Sequence, residues 1–274
     1  MKLRLIILTL FVAAHSQGQT FLNANVRRSD ASAGLPQAIA RVASSGDTWV
    51  AWTVPGGEEH SLCCGHGEDC CTTCSLDGGR SYSKTSTSDV QRLADDTNVV
   101  VIARITQGEA GRIRIFGGSC RVDAEGATIH LLESVPEEAS LDWLGAQLAT
   151  HSKHHELMVA IAMHGHSSVV PRLIAFARND PQSSVRRAAL FWLGQRAGEK
   201  AAAELRRAVD EDPEDEVRSH AVFAISQLPA DRSVPMLIDL VKTHKSRNVR
   251  KKAMFWLAQK DDPRALETIE EILR

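Results

Sequence analysis

An α+β N-terminal module followed by an all-α solenoid, an α-α superhelix of stacked helix pairs, is the fold class this 274-residue sequence predicts. Three observations predict it. The second half repeats itself, because Val185-Arg186 recurs as Val217-Arg218 and as Val249-Arg250, two successive steps of 32 residues. The stretch before it changes texture to glycine, serine and short β-branched runs. An apolar leader precedes both.

The leader runs Met1-Lys2-Leu3-Arg4, then apolar residues from Leu5 to Ala14, then small and polar ones, which is the charge, core and cleavage order of a secretory signal. Residues 1–18 are expected to be removed, with cleavage after Ser16 or Gly18, and the mature chain to be secreted or periplasmic. About ten apolar residues cannot span the roughly 30 Å hydrocarbon core as a helix, and no later segment is both longer and free of charge. No membrane insertion is therefore expected after signal cleavage. The first cysteine is Cys63, far from any site where a lipid anchor would attach.

With 43% hydrophobic and 24% charged residues the chain reads as globular and not disordered. Residues 140–274 hold 20 Lys plus Arg against 18 Asp plus Glu, a balance of +2, and residues 21–139 hold 10 against 16, a balance of −6. Neither half has the basic excess that nucleic acid requires, so no nucleic acid is expected as a partner.

Residues 19–139 are read as a small mixed α/β module. Trp49 to Val54, Val99 to Thr106 and Arg112 to Phe116 have strand composition, with Gly108 to Gly111 as the hairpin turn between the last two. Leu35, Ile39 and Val42 predict a short helix before the first strand. Six cysteines, Cys63, Cys64, Cys70, Cys71, Cys74 and Cys120, are disulfide candidates in an exported module with a thin core. Six cysteines allow 15 pairings, and removing the 5 that join adjacent residues leaves 10, among which the sequence does not choose. The alternative is a metal-binding or thiol-active module centred on Cys63 to Cys74. Cys63, Cys64, His66, Cys70, Cys71 and Cys74, with His60 nearby, have the ligand types and spacing of a zinc knuckle.

Residues 140–274 hold the repeat. Ala189, Ala221 and Ala253 align at the 32-residue period, as do Phe191, Phe223 and Phe255, then Leu193, Ile225 and Leu257, then Gln195, Gln227 and Gln259. Leu173, Leu205 and Leu237 align upstream, so each unit is two helices. A degenerate first unit begins near Ser140 with Leu141, Leu144, Leu157 and Ile161. Asp180-Pro181 and Asp212-Pro213 separate the helices of a unit, with Asp expected as the N-cap and Pro in the first turn. After Asp262-Pro263 comes one more helix. Its Leu266, Ile269, Ile272 and Leu273 are expected to bury one apolar face while Glu267, Glu270 and Glu271 face water, so that this half-repeat caps the array.

The strings VRRAALFWLGQ (185–195), VRSHAVFAISQLP (217–229), VRKKAMFWLAQ (249–259) and DDPRALETIEEIL (261–273) resemble HEAT repeats of exported bacterial proteins of uncharacterised function. WVAWTVPGG (49–57), the Cys63-Cys64 pair and Ser119-Cys120 resemble the N-terminal part of the same proteins. That resemblance implies a HEAT-type solenoid and an interaction role, with a protein or peptide as partner. It implies no enzymatic activity and no cofactor. Enzymes that attach bilin pigments also resemble this repeat class, but they act in the cytoplasm, which the leader contradicts.

Other motifs have plainer readings. His155-Glu156-Leu157-Met158-Val159 starts like a zinc-protease helix but has Val159 where the second ligand must stand. His164 is expected to cap a helix end. Ser75 to Tyr82 resembles a single propeller hairpin and reads as a turn between strands. The acidic run 210–216 reads as helix-start charge. No nucleophile elbow, phosphate loop or dinucleotide fingerprint occurs, and an exported adaptor, not an enzyme, is the reading. With Val185, Ala188, Ala189, Trp192 and Leu193 as the buried stripe of 185–195, the opposite side is read as the partner-binding face, the alternative being that the N-terminal module covers it or that its apolar residues only pack between repeats. It aligns Arg187, Ser219 and Lys251 as a basic edge, Leu190, Val222 and Met254 as an apolar ledge, and Gly194, Ser226 and Ala258 as a small-residue floor. The aligned Phe and Trp positions are expected in the core.

Overall fold

A computed structural model describes residues 20–44, 46–57, 74–76, 90–91, 98–107, 109–117, 120–150, 154–196 and 198–274. The N-terminal elements are β1 (Thr20–Leu22), β2 (Asn25–Asp30), α1 (Leu35–Ala43), β3 (Thr48–Pro55), β4 (Cys74–Ser75), β5 (Val90–Gln91), β6 (Asn98–Thr106), β7 (Glu109–Gly117), β8 (Arg121–Asp123) and β9 (Thr128–Glu133). Helices follow as α2 (Glu137–Leu148), α3 (His154–Ala162), α4 (Val169–Asn179), α5 (Ser183–Gln195), α6 (Glu199–Glu211), α7 (Asp215–Ser226), α8 (Ala230–Thr243), α9 (Arg247–Leu257) and α10 (Pro263–Leu273). The leader lies outside the described residues. Among those described, no helix is long and apolar enough to cross a membrane.

The larger sheet has the order β2-β9-β3-β6-β7 and the smaller β4-β8-β1-β5. In the larger, β9 runs parallel to both β2 and β3, whereas β3-β6 and β6-β7 are antiparallel. Alternation along β3 and β6 explains its layering, since successive side chains leave opposite faces. Val50, Trp52, Val54, Val99, Val101 and Ala103 enter the core beneath the helices. Ala51, Val100 and Ile102 enter a second core with Phe21, Cys74, Cys120 and Val122 beside the smaller sheet. Burial on both faces is why these strands read as nearly continuous apolar runs. The predicted hairpin turn shifts: Thr106 already pairs with Glu109, and Gln107 has φ 53°. Gly111 instead lies at the register break between Ile105-Ala110 and Arg104-Arg112, where a bulge tolerates glycine.

The helical half is two layers. α2, α4, α6, α8 and α10 are first helices of their units; α3, α5, α7 and α9 are second helices, each packed on its own first helix and on its neighbours in the same layer. The Asp-Pro turns differ from expectation. Asp180 and Asp212 end α4 and α6, and their carboxylates accept the amides of Gln182 and Glu214 two residues on, at 2.9 and 3.0 Å. The next helices start only at Ser183 and Asp215, because a residue before proline is driven out of the helical region. His244, one period after Asp212, does the same with Nδ1 accepting from Ser246 N at 3.0 Å. Only Asp262 is the expected cap, accepting from Arg264 N at 2.9 Å with Pro263 in the first turn.

The repeated arginine plays the same part in each unit. Arg186, Arg218 and Arg250 donate to the carbonyls of Asp180, Asp212 and His244, each six residues back. Arg186 alone also grips the next unit. Its Nε and Nη2 meet both carboxylate oxygens of Asp212 at 2.9 and 3.2 Å, and both side chains are under a tenth exposed. Arginines also answer the rest of the acidic run, with Asp210 on Arg206, Glu214 on Arg186, Asp215 on Arg218 and Glu216 on Arg187. The terminal helix departs from the expected cap. α10 buries Ala265 and Thr268, while Leu266, Ile272 and Leu273 are 61%, 45% and 80% exposed.

One buried relay joins sheet to helices. Trp52 Nε1 on β3 donates to Ser140 Oγ on α2 at 2.8 Å, and Ser140 Oγ lies 2.8 Å from His164 Nε2. His164 Nδ1 is 2.7 Å from Ala160 O, an acceptor only, so Nδ1 carries the proton and Nε2 accepts from Ser140. His164 does close the end of α3 as expected, but from full burial. Gly57 N to Met163 O and Gly165 N to Pro55 O, both 2.9 Å, stitch the strand end to the same turn. A Cβ on Gly165 would stand 2.7 Å from Gly56 O, so only glycine allows the approach.

Burial lowers the His164 pKa from 6.5 to about 4, against the opposing pull of the Ala160 carbonyl. Between those values the unfolded chain binds a proton that the folded chain refuses. This contribution to stability is full above pH 6.5 and declines towards pH 4 by about 1.4 kcal/mol per unit. His164→Gln should flatten the pH dependence of urea unfolding in that window; identical slopes for the two proteins would show that His164 is not held neutral. Asp212→Ala should cost about 2 to 3 kcal/mol, below the full penalty of an unpaired buried charge because Arg186 keeps Glu214 and the Asp180 carbonyl, whereas Asp215→Ala, in an exposed pair, should cost no more than about 1 kcal/mol. Equal urea midpoints for the two variants would remove the special status of the buried pair.

Candidate binding surface on the second helices

A period of 32 residues brings equivalent side chains into rows across α5, α7 and α9. The row that reaches solvent is aromatic. Phe191 stacks on Phe223 with centroids 6.2 Å apart and planes at 14°, and Phe223 meets Trp256 at 5.1 Å. Phe255 meets Trp256 edge-on at 5.0 Å and is 55% exposed. Beside it a groove of about 370 Å³ lies over α7 and α9, walled by Ser219, His220, Phe223, Asn248, Lys252 and Trp256. Its rim is pinned by Arg187 on Glu216 at 3.1 Å and by Asn248 Nδ2 donating to Ser219 Oγ at 3.3 Å. Burial, then the nearby Arg187 charge, lower the His220 pKa below its usual value. The groove thus joins apolar rings for contact area to fixed polar groups for orientation.

The expected ledge is corrected. Leu190 and Val222 are fully buried, and only Met254 is part-exposed. The physical reason is that each second helix is covered by neighbouring second helices as well as by its own first helix, so its buried sector is wider than one stripe and takes in this row. Gly194 is no floor either: a Cβ there would stand 2.8 Å from Ala224 O, so the residue is small because α5 and α7 nearly touch. Arg187 and Lys251 do lie at the surface. The aromatic row is visible in the sequence as the aligned Phe191, Phe223 and Phe255, yet its hydrophobicity predicts the core, since hydrophobicity alone does not say which sector of a helix its neighbours leave open.

The remaining candidates fall elsewhere. Cys63, Cys64, His66, Cys70 and Cys71 lie outside the described residues. Cys74 and Cys120 are buried in the second core. Among the described residues, no group of three or more His, Cys, Asp or Glu is placed to hold a metal ion. Ser140 and His164 resemble a nucleophile and its base in their contact, but both are 0% exposed and serve the relay.

A family model of HEAT repeats matches three overlapping stretches, residues 141–226, 170–247 and 210–274. The helical half of the chain is therefore made of HEAT repeats. No curated protein matches the chain.

Leu190→Ser with Val222→Ser should lower stability by several kcal/mol, because two filled core positions become polar cavities. Phe255→Ser, at an exposed position, should move the melting temperature little. A double variant as stable as the parent would restore the ledge to the surface.

Proposed function

We propose that this protein is an exported protein-binding scaffold that holds a protein or peptide on the concave face of its HEAT repeats. The row Phe191, Phe223, Trp256 and Phe255 carries the reading, because contiguous aromatic surface costs solubility unless a partner covers it. Repeat arrays of this class present extended surfaces for protein partners. Closer contact among the second helices than among the first supports a stack that curves towards the aromatic row. Arg187 and Lys251 supply charge at its edge.

The leader supports a destination outside the cytoplasm, secreted or periplasmic in a bacterium. Oxidising surroundings suit a module whose Cys74 and Cys120 are buried away from water, with disulfides bracing it. Two measurements test the proposal. A photo-crosslinking residue at position 255, in the producing cell, should form an adduct with a protein partner, while the same residue at exposed Lys242 on α8 should not. Adducts from both positions or from neither would remove the aromatic face as the binding surface. Deleting residues 2–18 should leave the protein in the cytoplasm, and normal export of that deletion would overturn the location.

A further inference from the structure

α1 has two apolar sides. Leu35, Ala38, Ile39 and Val42 are buried in the core shared with β3. The helical period puts Pro36, Ala40 and Ala43 on the neighbouring sector, and that sector borders a pocket of about 680 Å³ whose other walls are the β6-β7 hairpin and the C-terminal half of α2. Ile39, Ile105 and Trp143, each under a tenth exposed, make its floor. The space is there because the residues around the floor are short: Ala40, Ala43 and Ala110 stand where a longer side chain would fill it. Its volume and apolar floor are those of a site for a small organic molecule, in which a few polar groups decide what enters.

We infer that this pocket binds an uncharged organic molecule with an apolar body and one acceptor oxygen, such as a ketone or an ether. Trp143 is set edge-on to Trp52 with centroids 5.4 Å apart, which fixes its ring. The indole N–H of Trp52 goes to Ser140, whereas that of Trp143 has no acceptor among the described residues. One turn on, the part-buried side-chain amide of Gln147 is also without a partner among them. An indole N–H can only donate, so it selects an oxygen on the ligand. Charge selects against an anion. Glu109, at the rim, is the only ionised residue among the described ones that line the pocket. Neighbouring cations are turned away: Arg41 is two residues from Ala43 and so on the opposite side of α1, and Arg104 leaves the other face of β6 towards Asp47 and the Trp49 ring. This site is separate from the aromatic row and does not depend on it.

The probes are methyl heptyl ketone and octanoate, of similar length, titrated separately into the whole chain by calorimetry. The ketone should bind saturably at one site, and octanoate about tenfold more weakly or worse. Glu109→Gln should narrow that gap. Trp143→Phe, which keeps a ring and removes the N–H, should weaken the ketone by about tenfold. Ala40→Phe, at an exposed position, and Ala43→Phe, at a part-buried one, should each fill the pocket and abolish binding without lowering the melting temperature. No saturable binding of the ketone would overturn the site, and ketone binding that both filling variants leave intact would remove it from this pocket. Octanoate binding as tightly as the ketone, or a ketone indifferent to Trp143→Phe, would overturn the class of ligand.

Discussion

Every second helix in the array has to be packed by its own first helix and by second helices beside it, and the 32-residue spacing exists to meet that demand. Each helix adds one row facing backwards and one row facing forwards, so a position is core or surface according to whether the next unit is there. Leu190, with α7 packed beside it, is fully buried, and Met254 at the same place in the repeat is part-exposed. The sector left over after three neighbours have been satisfied is narrow, and in this chain it is lined with rings where ordinary solvation would favour charge.

The sheet and the first helix pair are bound by the same logic of completed contacts. The face of β3 and β6 that carries Val50, Trp52 and Val101 shares one hydrophobic cluster with α2 and α3, continuous into the repeats. Polar groups inside that cluster are tolerated because each meets a partner: the indole of Trp52, the hydroxyl of Ser140 and the imidazole of His164 form a directional chain ending on a backbone carbonyl. A relay of this kind fixes which residue of α2 faces which residue of β3, a choice that apolar packing alone leaves loose.

Much of the architecture is legible in the residues. The Val-Arg recurrence and its accompanying rows locate the helix pairs, and the β-branched runs locate β3, β6 and β7. What escapes is set by relations between distant segments. Parallel pairing of β9 with both β2 and β3 brings residues 103 and 80 positions apart side by side, with no local signal. The carboxylates of Asp180 and Asp212 do satisfy amide protons near a helix start, yet from two residues earlier than a cap, because proline holds the intervening backbone extended. The aromatic row escapes because a wheel drawn on one helix has one buried side, and these helices have more. His164 ends its helix as its position predicts; its burial comes from β3, which no helical pattern could disclose.

The junctions of the array are not equal. Between the units of α5 and α7, Arg186 and Asp212 make a desolvated bidentate contact, whereas one period later the place of the carboxylate is taken by His244, and Arg218 turns back to Asp215 on its own helix. A stack of repeats behaves as a one-dimensional chain of coupled units, in which cooperativity is only as long as its weakest coupling allows. The later junction is held instead by Arg206 on Asp239 and by Lys260 on the carbonyl of Ser226, contacts nearer to solvent, so a geometrically regular repeat carries its desolvated charge at one junction and its solvated charge at the next.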